Sequence, residues 1–274
     1  MNDLRASVLI AAYEHCDFLR RTLIGFTRQS VEDFEIVVCD DGSGPGVRDL
    51  VGSFDSTFAG KVSHCRHEKA GFRKCRILNE GVFRSKADYL IMVDADCIPH
   101  SRLVEEHLVS RKKGAYLVGR RVQLGPGFTE RLGDDVIRSG RLESVLFTLL
   151  PAVLRGEARH IEAGIRIPSW LRGSGARNVP LLKGCNFSCW KGDIETINGF
   201  NEDFVTAGGG EDDDVERRLR LAGVTGRSIK HAAVCYHQHH PIVPRGVAGA
   251  ELCKALAKEG RSTCERGLNL HVAR

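Results

Sequence analysis

The chain has 274 residues, 42% of them hydrophobic and 27% charged, enough for a sizeable core in one large domain or two small ones. This balance excludes a disordered or fibrous chain, and no stretch approaches the roughly 18–20 apolar residues of a membrane span. The formal charge of +5 and pI near 8.7 suit a phosphate-bearing ligand or an anionic surface, while no helix-turn-helix, finger or aromatic-basic strand pattern points to nucleic acid.

In chain order, "ASVLIAAY" is a continuous apolar run that reads as a buried strand. "DFLRRTLIGFTRQS" follows as a helix, with Phe18, Leu19, Leu23 and Phe26 at helical spacing. "FEIVVCDDGS" is a second buried strand with a turn-rich exit, and "VRDLVGSF" a short helix. "KVSHCRH" is a third strand, "CRILNEGVFRS" a helix and "DYLIMVDAD" a fourth strand. "SRLVEEHLVSRKK" is a helix with Ser101 as its expected N-cap. Strands apolar on both faces that alternate with helices predict an α/β fold, a mostly parallel Rossmann-like sheet flanked by helices. Ligands bind such sheets beyond the carboxyl ends of the strands.

From about residue 125 to 180 the alternation fails, and the apolar stretch "LESVLFTLLPAVL" stands in an insertion rich in Gly, Pro and Arg. "LLKGCNFSCWKGDIETINGF" resumes as strand and helix. "EDDDVERRLRLAG" is a helix that Gly223 stops, "HAAVCYHQHHP" is a late strand, and a helix and basic tail follow from Val247. The expected division of a single domain is a first half over 1–122, the insertion over 123–180, a second half over 181–245, and a C-terminal helix and tail over 246–274. The first residues lack the shape of a signal peptide, because Glu14, His15 and Asp17 break the apolar run. The ten cysteines are scattered through apolar runs, as small buried hydrophobes in a cytoplasmic protein would be.

Five stretches carry chemistry. Asp94 and Asp96, one residue apart at a strand end, suit a divalent cation with hard oxygen ligands, although the same pair also builds turns. Asp40 and Asp41 in "VVCDDGS" suit hydrogen bonds to a nucleoside, or equally a plain turn. "GFRKCRILNEG" places three cations in one helical turn, fit for a diphosphate or for solvent. "TAGGGEDDD" sets three glycines before an acidic helix start, which suggests close approach of backbone to a bulky ligand. One of His237, His239 and His240 in "YHQHHP" can complete a metal site with Asp96.

Taken together, "SVLIAAYEHCDFLRRTLIGFTRQSVEDFEIVVCDDGS", "GFRKCRILNEG" and "YLIMVDADCIP" resemble the inverting nucleotide-sugar glycosyltransferases of family 2 with a GT-A fold. "KGCNFSCWKGDIETINGFNEDF" and "GGGEDDDVERRL" resemble the C-terminal region of β-1,4-galactosyltransferases and chondroitin-polymerase-type enzymes. The resemblance covers residues 6–122 and 181–240. It implies that Ala12, Tyr13, Glu14, Asp40, Asp41, Phe72, Arg73, Arg76 and Asp94 bind the nucleotide sugar. It also implies that Asp96, His237 and Asp94 hold Mn²⁺ or Mg²⁺, and that Asp212 is the catalytic base with Glu211 beside it. Gly184, Asn186 and Glu211 then fall on the acceptor side.

The implied reaction moves a hexose or N-acetylhexosamine from a UDP-sugar to a glycan or lipid-linked glycan, in cell-surface polysaccharide or lipopolysaccharide synthesis. Two features depart from the pattern: the first loop reads "AAYEH" where Pro and Asn are common, and no Trp interrupts the glycine run. "RLESVLFTLLPAVLR" is a candidate contact with the inner face of the membrane, or packs on its own domain or a homodimer partner. The competing readings are a nucleotidyltransferase, which calls for a glycine-rich phosphate loop that "AAYEHC" lacks, and a non-catalytic nucleotide-sugar-binding protein.

Overall fold

The computed structural model describes residues 4–168, 171, 179, 181–241 and 247–271. Its first part alternates as the apolar runs predict: β1 (Ala6–Ala12), α1 (Cys16–Phe26), β2 (Phe34–Asp40), α2 (Pro45–Ser53), β3 (Val62–Arg66), α3 (Lys74–Arg84) and β4 (Tyr89–Asp94). A short β5 (Cys97–Pro99), α4 (Leu103–Ser110), β6 (Ala115–Val118) and β7 (Arg120–Leu124) follow. The insertion holds short pieces: α5 (Pro126–Arg131), α6 (Asp134–Arg138), a π-helical turn over Val145–Leu149 that runs into α7 (Leu150–Leu154), and β8 (Ala158–Arg159). The remainder comprises β9 (Phe187–Trp190), α8 (Lys191–Thr196), α9 (Glu211–Leu221), β10 (Thr225–Ser228), β11 (Val234–His237) and α10 (Val247–Glu259).

Seven strands form the main sheet in the order β10-β6-β9-β4-β1-β2-β3. β3, β2, β1 and β4 run parallel, and β9 enters antiparallel between β4 and β6. Both faces of this sheet are covered, which is why the strands read as unbroken apolar runs. Val8 and Ile10 of β1 pack in one core with Leu19 and Leu23 of α1. Leu9 faces the opposite core with Ile77 and Val82 of α3. All ten cysteines are free thiols, eight of them buried.

A second sheet, in the order β5-β11-β7-β8, has no counterpart in the sequence reading. Its strands are too short to show a hydrophobic period. It arises because the chain leaves β4 at Asp94 and, three residues later at Cys97, pairs β5 antiparallel with β11. The Asp94–Asp96 stretch therefore bridges the two sheets.

Two expectations need correction. Ser101 does not cap α4: its N–H and hydroxyl both donate to the Glu143 carboxylate, at 3.0 and 2.9 Å, which ties the helix start to the insertion. The glycine run does not wait for a ligand. A Cβ on Gly249 of α10 would lie 2.5 Å from the Gly209 Cα, and one on Gly209 would lie 3.0 Å from the Gly249 Cα. Gly208 (φ 63°) and Gly210 (φ 95°) turn the chain through the left-handed region on either side. The glycines let α10 cross the start of α9 at backbone contact. Gly223, by contrast, stops α9 as expected, with φ 84° and its N–H on the Arg220 carbonyl at 3.0 Å. Among the described residues no helix is long and apolar enough to cross a membrane.

Helix propensity alone makes Gly249→Ala stabilising by about 1 kcal/mol. The backbone contact makes it destabilising instead, by about 1–3 kcal/mol. Urea unfolding of that variant decides between the two signs.

Candidate active site

The site is built at the carboxyl edge of the parallel strands, where β4 hands over to β5. The Ala95 N–H donates to the Ala11 carbonyl at 2.9 Å, so the crossing is anchored to β1. Asp94 and Asp96 then face different partners. The Asp96 Oδ2 lies 3.3 Å from Nε2 of His237 and 3.0 Å from Nε2 of His240. One ligand atom from each of the three residues lies within 4.8 Å of the others. The Gln238 N–H on the Asp96 carbonyl, at 2.9 Å, clips the end of β11 to this turn. Burial works against ionisation of Asp96, but hydrogen bonds with His237 and His240 hold its carboxyl well below the usual range. Asp96 in turn raises the His240 imidazole above its ordinary value. One carboxylate oxygen and two imidazole nitrogens form a donor set that fits a divalent transition ion. His237 Nδ1 is buried without a partner among the described residues, so no second contact fixes its ring. His239 turns away, its N–H donating to Thr129 Oγ1 at 2.9 Å.

Asp94 points the other way, its Oδ1 accepting from the Lys74 ammonium at 2.8 Å. It is not part of the Asp96–His237–His240 cluster. Lys74, at the first turn of α3, also feels Asp212 and Glu211. Burial acts to strip its proton, yet the three carboxylates win and hold its pKa well above the ordinary lysine value. Asp212 stands in the first turn of α9, partly open to solvent, with the Gly184 N–H donating to its Oδ2 at 2.8 Å. Burial lifts its carboxyl to about 7, with Glu211 and Asp94 adding to the shift and Lys74 and the Gly184 N–H opposing it. A Cβ on Gly184 would meet the Asp212 Oδ1 at 2.7 Å, so only glycine lets the loop approach this closely. The other acids of "EDDD" differ in use. Asp214 is buried in ion pairs with Arg217 and Arg218, both at 2.7 Å, and serves the fold.

At the neighbouring strand end, Ala12, Tyr13 and Glu14 form the exit of β1. Glu14 (φ 51°) and His15 (φ 45°) are left-handed, and the Glu14 N–H donates to Ser43 Oγ at 2.7 Å, stitching this loop to the one after β2. Tyr13 is exposed, with the Lys69 ammonium 5.2 Å from its ring centre. Asp41 accepts from the Arg73 N–H at 2.8 Å and lies 2.6 Å from His67 Nε2, which fixes the loop ahead of α3. Phe72, just before α3, and Arg76, within it, are half-buried.

The structure does not bring two of the expected residues to the cleft. Asp40 is wholly buried, accepting from the Ser43 N–H at 2.8 Å with His64 Nε2 at 2.9 Å, so it builds the loop instead of reading a base. Asn186 is also wholly buried: its Nδ2 donates to the carbonyls of Arg120 and Ala233 at 3.0 and 3.1 Å, and its Oδ1 meets His107 Nε2 at 3.0 Å. No atom of its amide is left for an acceptor. Conversely, sequence reasoning gave no role to Lys74 and left His240 as one of three histidines. The i, i+3 spacing of His237 and His240 was the available signal for the second. The first had none beyond its place among three cations.

Residues 7–164 match glycosyl transferase family 2, and residues 176–241 match the family described as the N-terminal domain of galactosyltransferase. A chondroitin synthase of Escherichia coli is 25% identical over 243 residues, covering 86% of this chain and 35% of that protein. A validoxylamine A glucosyltransferase of Streptomyces hygroscopicus subsp. jinggangensis is 30% identical over 228 residues, covering 80% of this chain and 52% of that protein. The chain thus spans between a third and about half the length of these two relatives. Among solved structures, S. aureus TarS 1–349 in complex with UDP superposes with a TM-score of 0.63 at 12% identity, over 97% of this chain and 68% of that one. The mannosyltransferase PcManGT of Pyrobaculum calidifontis, in complex with GDP-Man and Mn2+, gives a TM-score of 0.57 at 16% identity, over 92% of this chain and 61% of that one. These likenesses show the GT-A fold.

The Asp212 carboxyl titrates near 7 in the ligand-free protein, as carbon NMR of the side-chain carboxyls will read. Lys74→Met removes a charge that favours the ionised form, so the midpoint moves higher. A midpoint that stays in place or falls separates Lys74 from Asp212.

Proposed function

The chain belongs to glycosyl transferase family 2, and from that premise we propose that it transfers a sugar from a UDP-sugar to a glycan acceptor with inversion at the anomeric carbon. One observation carries the reading. Asp212, its carboxyl lifted to about 7, is within electrostatic reach of Asp94, which stands two residues before Asp96 of the Asp96–His237–His240 cluster. A general base works best when its pKa lies near the working pH. Asp212 takes the proton of the acceptor hydroxyl as that oxygen attacks, and the Gly184 N–H holds the carboxylate in line. Glu211, one residue earlier on the same helix start, binds sugar hydroxyls. Ala12, Tyr13, Glu14 and Asp41 line the nucleoside end, with Phe72, Arg73 and Arg76 on the α3 side. Asp96, His237 and His240 would hold a divalent cation, which when bound supplies positive charge against the diphosphate that departs. Two imidazoles in the set favour Mn²⁺ over Mg²⁺, which prefers oxygen ligands.

UDP is the proposed nucleotide. Supporting it are the TarS neighbours, which were solved with UDP and with UDP-GlcNAc. UDP-galactose, UDP-N-acetylgalactosamine and UDP-N-acetylglucosamine are the donors to screen by thermal shift with Mn²⁺, because a ligand of the folded state raises apparent stability. For the acceptor, a lipid-linked glycan at a membrane surface is supported by a ridge on the insertion. Leu146, Phe147 and Leu154 are 63%, 82% and 81% exposed, with Leu150 beside them at 40%. Flotation with liposomes, compared between the wild type and a variant with Ser at 146, 147 and 154, tests the contact. Loss of flotation supports it, and a monomer–dimer shift on the same substitutions assigns the ridge to a second copy.

Asp212→Asn is expected to keep donor binding and lose transfer by about 10²–10⁴-fold. The wild-type kcat/KM rises with pH through about 7, because the base acts ionised, and this limb is absent from the residual activity of the variant. Full transfer by Asp212→Asn ends the role assigned to Asp212. Removal of metal by EDTA and Asp96→Ala should each abolish most transfer, and activity that survives both takes the cation out of the reaction. A donor bound without any transfer or hydrolysis would favour the non-catalytic reading.

A further inference from the structure

The small sheet presents one face to this cleft, and an arginine on it has no partner among the described residues. In the parallel pairing of β7 with β11, Arg121 lies opposite Cys235 and Gln123 opposite His237; in the antiparallel pairing of β11 with β5, His237 lies opposite Cys97. Residues paired across strands share a face. Arg121, Cys235, Gln123, His237 and Cys97 therefore line one side, while Val122, Tyr236 and Ile98 fill the core on the other and are fully buried. The Arg121 guanidinium is within electrostatic reach of Cys185, Cys97, Asp94 and Asp96, and it also acts on His240. By strand register it stands on the same face of the small sheet as His237, one of the candidate cation ligands.

Arg121 is half-buried and, among the described residues, makes no hydrogen bond or ion pair. Its neighbours do otherwise. Arg120 donates to the Leu181 carbonyl at 3.2 Å, Arg166 pairs with Glu106 at 2.7 Å, and Arg218 pairs with Asp214 at 2.7 Å. The two carboxylates nearest to the Arg121 charge are already engaged, Asp94 by Lys74 and Asp96 by the two histidines. A guanidinium always carries its charge and five N–H donors, and withdrawing it from water unpaired is costly. Such a fork matches two oxygens of a phosphate or a carboxylate.

We infer that Arg121 is a substrate-binding residue whose guanidinium takes an oxyanion of the bound substrates at the leaving-group end of the cleft. The β-phosphate of the nucleoside diphosphate is the favoured source, and the carboxylate of an acidic acceptor sugar is the other. The inference rests on the nucleotide-sugar reading above and adds to it a cationic contact supplied by β7.

Titration calorimetry in Mn²⁺ with UDP, UMP and a glucuronate-terminated disaccharide tests it on the wild type, Arg121→Met and Arg121→Lys. With the β-phosphate as ligand, Arg121→Met loses about tenfold or more in UDP affinity, while UMP affinity stays within about twofold. Arg121→Lys recovers part of the UDP loss, because it restores the charge without the fork. Unchanged UDP binding with a weakened disaccharide supports the carboxylate source. Equal binding of all three probes by wild type and Arg121→Met overturns the inference, as does a parallel loss of all three with a lowered melting temperature. A wild type that binds no UDP removes the donor reading first, and this inference with it.

Discussion

One buried cation makes the site possible. Asp94, Glu211 and Asp212 come from a strand end and a helix start more than a hundred residues apart, and their charges repel. The Lys74 ammonium stands among them, bonded to Asp94 at 2.8 Å and acting on both others. Removing one member of a buried charge group leaves the others uncompensated, which is why such groups are all-or-none. Here the compensation is incomplete. Lys74 brings Asp212 down, but burial and the two neighbouring carboxylates keep it near 7. A fully satisfied cluster would leave a carboxyl at this position in its ordinary acidic range.

A second constraint holds the two sheets in register. Asn186 begins a buried polar chain: its Oδ1 meets His107 Nε2 at 3.0 Å, His107 Nδ1 meets Ser188 Oγ at 2.7 Å, and Ser188 Oγ meets Tyr89 Oη at 2.7 Å. Burial lowers His107 to about 4, so the ring is neutral and can donate at one nitrogen and accept at the other. Through the Asn186 Nδ2, this chain reaches the backbones ahead of β11 and at the start of β7. The residue two positions earlier is Gly184, whose N–H holds Asp212. The main sheet, the small sheet and Asp212 are thus linked through one buried amide, and satisfied polar networks of this kind specify a single arrangement.

The C-terminal helix completes the frame from the other side. α10 crosses at Gly209 and Gly210, which fixes the chain just before α9 begins. Beyond it, His271 lies between Glu80 at 3.1 Å and Glu202 at 2.6 Å, and the Asn79 amide donates to Glu202 and to the Phe200 carbonyl. These contacts seat α3, which carries Lys74, against the segment that leads to α9. The exposed ridge at Leu146, Phe147 and Leu154 stays outside this frame.

The sequence by itself determined the parallel core, because strands buried on both faces are mostly apolar, and β1, β2 and β4 carry long apolar runs broken only by Ser7, Glu35 and the aspartates at their ends. It also determined that Asp96, Asp212 and a histidine of "YHQHHP" stand at chain exits from strands or at a helix start, because ordered motifs in one chain exclude most other readings. Tertiary structure alone decided which polar residue serves the site and which serves the fold. Asp94 and Asp96 differ by one position, yet one faces Lys74 and the other two histidines, because the chain changes sheets between them. Asp40, Asn186 and the glycine run looked like ligand contacts and proved to be packing. Hydrogen-bond saturation of a buried group depends on partners from distant strands, and no local pattern records it. Arg121 is the converse case, a residue with an ordinary sequence context whose lack of a partner among the described residues appears only when the strands are in register.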